Sequence, residues 1–122
     1  LSKGDVVIIR TGRPGDAAVI NSELDGCNCI DLIIARTGER INPNYLSRFI
    51  NSAAGRRKIA QGTAGTAQLH FNVSQMKKML IPLVSLEKQS EIVNELEAID
   101  NQIREVVNHI SISQKLKTAL SR

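Results

Sequence analysis

A series of aliphatic residues near the C-terminus recurs with heptad spacing and predicts one long helix. Its members are separated alternately by four and three residues, and they are Ile92, Leu96, Ile99, Ile103, Val106 and Ile110. Ser85 is a suitable N-cap, so we predict a helix over residues 86–121. At 1.5 Å per residue this helix is about 54 Å long, which exceeds the diameter of a small domain. Part of its apolar stripe must therefore find a partner outside the globular part.

Two interpretations of this helix remain open. It can pack along the sheet of its own domain, or its apolar stripe can pair with another helix. The sustained spacing of four and three residues favours pairing, because this spacing is typical of coiled coils. The charged residues Glu91, Glu95 and Glu97 lie off the stripe. The six aliphatic residues are thus the candidate helix interface.

The first 36 residues alternate turn signals with short apolar runs. The turn Lys3-Gly4-Asp5 precedes an apolar run over residues 6–9, and the turn over residues 11–16, with two Gly and a Pro, precedes a returning strand over residues 17–20. A third apolar run extends over residues 29–35. This pattern predicts a small, mostly antiparallel sheet.

Helical signals follow the sheet. Asn42-Pro43 is a suitable helix start, and Gly55 is a point at which the helix can divide into two. Six apolar residues at helical spacing should face the sheet, namely Tyr45, Leu46, Phe49, Ile50, Ala53 and Ala54. We predict a loop over residues 62–68, a short helix from a Ser74 cap to Met79, and an extended segment before the long helix. The predicted fold class is α+β, with a small mixed sheet and helix domain followed by a long C-terminal coiled-coil-type helix.

The net charge of +4 is concentrated in one block of the chain. Residues 36–58 contain six basic residues and one acidic residue, whereas residues 1–35 contain three basic and five acidic residues. Such a block is what a phosphate-facing patch requires. The candidate phosphate contacts are Arg48, Arg56, Arg57 and Lys58, of which Arg48 and Arg56 fall with Ser52 on a stripe four residues apart. The alternative, a solvated helix face without a nucleic-acid partner, remains open.

Residues that can hydrogen-bond to base edges lie near this block. They are Thr63, Thr66, Gln68 and His70, and the Gly-rich turn adds Arg10 and Arg13 as further DNA-binding candidates. With two Phe, one Tyr and no Trp, the chain cannot supply the platform of rings on which single-strand binders stack bases. Binding of single strands by base stacking is therefore excluded, whereas the basic block is compatible with another polyanionic partner.

No catalytic, metal or cofactor site is predicted. The tetrapeptide Asn42-Pro43-Asn44-Tyr45 resembles the base-gripping loop of adenine-N6 methyltransferases, but its third residue differs and no Gly-rich loop is present to hold a methyl donor. Cys27 and Cys29, one residue apart without a second pair, do not form a zinc site, and they indicate reduced thiols in a cytoplasmic protein. No apolar run approaches the ~20 residues that a membrane span requires.

Several segments together resemble the specificity subunits of type I restriction–modification systems. Residues 1–12 are similar to the strand and turn of their target-recognition domains, and residues 41–46 and 62–66 fit the later part of the same domain. The most distinctive segment is IPLVSLEKQ, residues 81–89, which is similar to the Ile-Pro-Leu-Pro-Pro-Leu-x-x-Gln lead into the long helix of the family. Val84-Ser85 replaces the usual Pro-Pro.

The resemblance implies a division of labour. Residues 1–84 would be a target-recognition domain, N-terminally incomplete, that reads one half of a bipartite site in double-stranded DNA. Residues 85–122 would be the long helix that dimerises and docks modification (methyltransferase) subunits, which bind S-adenosylmethionine and methylate adenine. Restriction subunits, in systems that have them, add cleavage. With one recognition domain and one long helix, the chain is expected to be a fragment or processed chain and to form a helix-mediated homodimer. The rival functions are a helical protein-interaction module without DNA binding, and a methyltransferase.

Overall fold

Three short strands form an antiparallel sheet in the first of two compact units. The computed structural model describes residues 1–63 and 70–121, and the units are Leu1–Ser90 and Glu91–Arg122. The strands are β1 (Val6–Ile9), β2 (Ala17–Val19) and β3 (Leu32–Ala35), in the order β2-β1-β3. Val6 opposes Val19 on one side and Ala35 on the other. The predicted antiparallel sheet is confirmed.

The third strand begins three residues later than predicted, and Asp31 is the reason. Asp31 has a φ of +59°, in the left-handed region, which is incompatible with an extended strand. Aspartate tolerates this conformation better than most residues. The apolar run from Cys29 therefore enters the sheet only at Leu32, and Ile30 is left exposed to solvent.

The start of β1 and the end of β3 are joined through Asp5. Its carboxylate accepts hydrogen bonds from the Ser2 backbone N–H at 2.8 Å and from Arg36 Nε at 3.2 Å. The Ser2 N–H, and after it the Arg36 guanidinium, lower the pKa of Asp5, although burial acts in the opposite direction. Asp5 is thus a buried carboxylate whose negative charge is stabilised by hydrogen bonds from neighbouring donors.

The first two helices are α1 (Pro43–Asn51) and α2 (Ala53–Thr63). The predicted cap is confirmed, because the Asn42 side chain accepts a hydrogen bond from Asn44 N at 2.8 Å. Leu46 and Ile50 of α1 pack into a core with residues of the sheet and α2. The buried members of this core are Val6, Ile8, Ile33, Leu46, Ile50, Ile59 and Phe71.

The predicted division between these helices occurs at Ser52, not at Gly55. Ser52 is extended, and its hydroxyl donates to Phe49 O and accepts from Gly55 N, so it ends α1 and begins α2. Gly55 lies buried inside α2, where a Cβ atom would lie 2.7 Å from Ile50 Cα and against the Phe49 carbonyl. This change of direction leaves Ala53 exposed, contrary to the prediction that it faces the sheet.

The short helix α3 (Val73–Lys77) begins at a different cap from the one predicted. Asn72, not Ser74, is the N-cap: its side chain accepts from Gln75 N at 3.0 Å, and the Gln75 side chain accepts from Asn72 N at 2.8 Å. This capping box needs Glu or Gln three residues after the cap, which Asn72 has and Ser74 lacks. Of the predicted loop over residues 62–68, Gly62 and Thr63 belong to α2, and residues 64–68 lie outside the described residues.

The longest element is α4 (Leu86–Leu120), which contains 35 residues. Ser85 is confirmed as its cap, because its hydroxyl accepts from Lys88 N at 3.2 Å. Together with the sheet, this helix confirms the predicted α+β class. A single-turn 3-10 helix (Ser22–Leu24) lies between β2 and β3. None of the helices among the described residues is long and apolar enough to cross a membrane.

Candidate nucleic-acid interface

The turn between β1 and β2, residues 10–16, is the point at which the candidate residues meet. Gly12 and Gly15 have φ values of +80° and +111°, which glycine adopts more readily than other residues. The turn is closed by Gly15 N donating to Ile9 O at 3.0 Å and by Ile9 N donating to Asp16 O at 3.0 Å. We refer to residues 10–16 as the β1–β2 turn.

The ends of α1 and α2 hold one side of this turn. The Asn51 side chain accepts from Ala17 N and donates to Ala17 O, both at 2.9 Å. Arg56 pairs with Asp16 at 2.9 Å and also donates to Asn51 O at 3.2 Å. Gly15 packs closely on Ile59, because a Cβ atom on Gly15 would lie 3.0 Å from the end of the Ile59 side chain.

The segment that precedes α3 holds the other side. Thr11 forms an antiparallel bridge with His70, and Phe71 N donates to Arg10 O at 2.9 Å. The Arg10 guanidinium lies 2.7 Å from His70 Nε2, which accepts because a guanidinium can only donate. Arg10 Nε lies 3.7 Å from Asp31, and within the described chain this buried atom has no hydrogen-bond partner.

The structure therefore brings four of the predicted residues to one turn. Arg10 and Arg13 lie in the turn itself. Arg56 of α2 and His70, which precedes α3, contact the turn from two other segments. Three of the four side chains are already engaged: Arg10 and His70 with each other, and Arg56 with Asp16. Arg13 is exposed, and its side chain has no partner among the described residues.

The three consecutive basic residues of α2 do not share one face. Successive helical residues are about 100° apart, and the buried residues Gly55, Ile59 and Thr63 define the inner face. Arg56 and Lys58 therefore lie on opposite flanks, and Arg57 points away from the core. Arg56 faces the β1–β2 turn, whereas Lys58 lines a cleft of about 280 Å³ with Gln75 and Lys78 among others.

The remaining candidates fall into different environments. Arg48 is half-buried on α1, and the break at Ser52 separates it from Arg56, so the predicted stripe does not continue along one helix. Thr63 is buried, and its hydroxyl donates to Ala60 O at 3.1 Å. Thr66 and Gln68 lie outside the described residues.

The interface candidates on α4 differ in their exposure to solvent. Ile92 and Leu96 are half-buried, whereas Ile99, Ile103, Val106 and Ile110 are exposed by 50 to 58%. The exposed part of the stripe therefore begins at Ile99 and covers four of the six predicted residues.

Sequence reasoning missed three residues that organise this unit. Asn51 and Asp16 fasten the β1–β2 turn to the helices, and Gln89 fastens the start of α4. Fully buried Gln89 accepts from Asn42 N at 2.7 Å and donates to Arg40 O and Val84 O, both at 2.9 Å. The only sequence signal for this role was its place at the end of the Ile81–Gln89 motif.

Two comparisons with known proteins show the family of this chain. Residues 1–114 match the family described as the type I restriction modification DNA specificity domain. A curated relative, the Type I restriction enzyme EcoBI specificity subunit of Escherichia coli, is 26% identical over 104 residues, which is 80% of this chain. The matched part is 21% of that relative, so the chain spans about a fifth of its length. The family match includes the sheet, the β1–β2 turn and most of the long helix, and the chain therefore belongs to the type I restriction modification DNA specificity domain family.

Proposed function

We propose that this chain supplies a duplex-DNA recognition surface and a helical assembly element to a type I restriction–modification complex. The observation that carries the proposal is the meeting of Arg10, Arg13, Arg56 and His70 at one turn in a domain of this family. The exposed Arg13 guanidinium at this turn is suited to phosphates and to base edges, whereas Arg10, His70 and Arg56 are engaged with partners within the protein. The chemistry of methylation and cleavage would belong to partner subunits.

The proposed partners follow from the family. The chain would act with modification subunits that methylate adenine and, in systems that have them, with restriction subunits that cleave DNA. The departures of Asn42-Pro43-Asn44-Tyr45 from the methyltransferase loop support this division, as does the use of Asn42 as a helix cap. A methyltransferase would transfer labelled methyl groups from S-adenosylmethionine to DNA without any other protein, and that result would contradict the proposal.

Replacing Arg57 and Lys58 together by alanine should weaken duplex binding about equally for all sequences. Both side chains are exposed on α2, whereas Arg56 is occupied by Asp16. Each phosphate contact contributes about 0.9 to the slope of log K against log salt, so the slope should fall by up to ~2 units. Fluorescence anisotropy with labelled duplexes over a series of salt concentrations measures this.

The matched control replaces Lys115 and Lys117 of α4 by alanine, which removes the same charge from the second unit. The slope should then remain close to that of the unaltered chain. An unchanged slope in the α2 variant would remove these residues from the interface. A chain that binds no duplex at any salt concentration would favour the alternative function, a helical interaction module without DNA binding.

The exposed stripe on α4 should mediate self-association, and Ile99→Asp should disrupt it. Burying each large aliphatic side chain of the stripe contributes roughly 1.5–3 kcal/mol, and an unpaired carboxylate in the seam removes that gain. We expect the dissociation constant of the dimer to rise by a factor of about 10 or more, since each 1.4 kcal/mol lost corresponds to a factor of 10. A twofold pair would present two recognition domains to a palindromic bipartite site.

Sedimentation of the two species measures this, with Ile112→Asp as the matched control. Ile112 is also exposed on α4, but it lies about 200° around the helix from Ile110 and outside the stripe. The control should sediment as the unaltered chain does. If Ile99→Asp and the unaltered chain sediment as the same species, the stripe does not mediate self-association.

A further inference from the structure

We infer that Arg13 reads a guanine in the major groove, and that Asn51, Asp16 and Arg56 are positioning residues that hold the β1–β2 turn for it. This inference rests on the proposed function and deepens it, because it separates the residue that carries sequence information from those that hold it in place. Nothing in the charge pattern makes this distinction among the arginines. It follows from the contacts of their guanidinium groups.

Side-chain contacts from α1 and α2 hold the β1–β2 turn in place. Asn51 makes two hydrogen bonds to Ala17, Arg56 pairs with Asp16, and Gly15 packs on Ile59. Surface loops are ordinarily the most mobile parts of a domain, and those that bind ligands are positioned by a rigid scaffold. A turn that is already held in one conformation can present a side chain without losing conformational entropy of the backbone on binding.

The guanidinium groups near the turn divide into two kinds. Arg10 is directed at His70, and Arg56 is directed at Asp16 and Asn51 O, so each of these satisfies a partner within the protein. Arg13 stands between Gly12 and Pro14 in the turn, is exposed, and has no side-chain partner within the described chain. It is therefore the arginine of the turn that is available to a ligand.

The geometry of the turn suits the major groove. β1 and β2 are neighbouring strands of the three-stranded sheet, and Arg13 lies in the connection that leaves the end of these strands. This turn, rather than the sheet, would carry the Arg13 side chain into the groove, where base edges are exposed. The planar fork of arginine matches O6 and N7 of guanine with two parallel hydrogen bonds, which lysine cannot reproduce. Asp16 would repel phosphates if unpaired, and its ion pair with Arg56 offsets that charge.

The test begins with a pool of short duplexes with a randomised centre, from which the unaltered chain selects its preferred sequence. Single-base variants of that duplex then measure discrimination for the unaltered chain, Arg13→Lys and Arg57→Ala. Arg13→Lys keeps the charge, so its salt slope should be unchanged, but discrimination at one G·C pair should fall by a factor of about 10 or more. Arg57→Ala should lower the salt slope and keep discrimination at every position. Protection of one guanine N7 from methylation by dimethyl sulfate should be lost in Arg13→Lys alone.

The positioning residues are tested by reversal of the ion pair. Arg56→Asp should reduce discrimination at the same G·C pair, because two carboxylates then face each other at the turn. The double variant Asp16→Arg, Arg56→Asp restores an ion pair in the opposite sense and should recover discrimination. Asn51→Ala should lower discrimination with an unchanged salt slope, since the variant removes no charge.

The outcomes distinguish the role of Arg13 from the proposed function of the chain. If the unaltered chain selects no duplex, the proposed function itself is wrong. If it selects a sequence and Arg13→Lys keeps full discrimination, Arg13 does not read a base and the inference is overturned, while the proposed function stands. If the double variant discriminates no better than Arg56→Asp, the ion pair does not position the turn.

Discussion

Replacement of Gln89 by alanine should lower the free energy of unfolding by about 4 kcal/mol, because three backbone groups lose their partner at once. The side chain is fully buried and bonds Asn42 N, Arg40 O and Val84 O. Each lost hydrogen bond costs about 0.5–1.5 kcal/mol, and the volume vacated by the buried side chain adds to this. Chemical denaturation followed by circular dichroism measures the change.

Two further variants make this prediction specific to the amide. Gln102→Ala makes the same substitution at an exposed position of α4 and should change stability by less than about 0.5 kcal/mol. Gln89→Glu keeps the acceptor for Asn42 N but loses both donated hydrogen bonds, so it should be about as damaging as alanine. A Gln89→Glu chain as stable as the unaltered one would show that the two donated bonds contribute nothing.

Gly55→Ala should destabilise the fold by about 3 kcal/mol or more, although alanine ordinarily favours a helix. The added Cβ would lie 2.5 Å from Ile50 O and 2.7 Å from Ile50 Cα, and it would also meet the Phe49 carbonyl. These are backbone atoms, which cannot move aside as the end of a flexible side chain can. Relief of the overlap requires α1 and α2 to separate. Overpacking that shifts the backbone typically costs about 1–3 kcal/mol and occasionally more, and we place this contact at the upper end because both partners are backbone atoms.

Gly38→Ala is the matched control for this substitution. A Cβ at Gly38 would meet nothing within 4 Å, and its φ lies outside the left-handed region. This variant should therefore be neutral or slightly stabilising, by about 0.4–1 kcal/mol at most, through the unfolded chain. Equal melting temperatures for the two variants would contradict the close approach of the helices at Gly55.

Gly55 lies beside the residues that hold the proposed recognition surface. It is one residue before Arg56 and four residues after Asn51, the two side chains that fasten the β1–β2 turn. A shift of α2 relative to α1 would therefore move these fastenings together. The same packing that stabilises the core thus determines where Arg13 is presented.

Local pattern predicted the elements of this fold well and their boundaries less well. The strand over residues 6–9, the Asn42 cap and the helix after Ser85 were predicted because neighbours along the chain determine them. The Asn72 cap was missed although its signal, Gln75 three residues later, was present in the sequence. The break at Ser52 was placed at Gly55 because flexibility and close packing both call for glycine, and only the packing distinguishes them.

Local patterns along the chain were enough to predict the antiparallel sheet, the long helix with its apolar stripe, and the basic character of the middle of the chain. These features depend on periodicities of two and of about 3.6 residues and on the local sum of charges. Which candidate residues come into contact could not be predicted in this way. Arg10 and His70 are 60 residues apart, Asn42 and Gln89 are 47 apart, and Ala17 and Asn51 are 34 apart, and no local periodicity relates such positions. Contacts of this kind depend on how the whole core packs, which is why the division of roles between Arg13 and Arg56 became visible only in three dimensions.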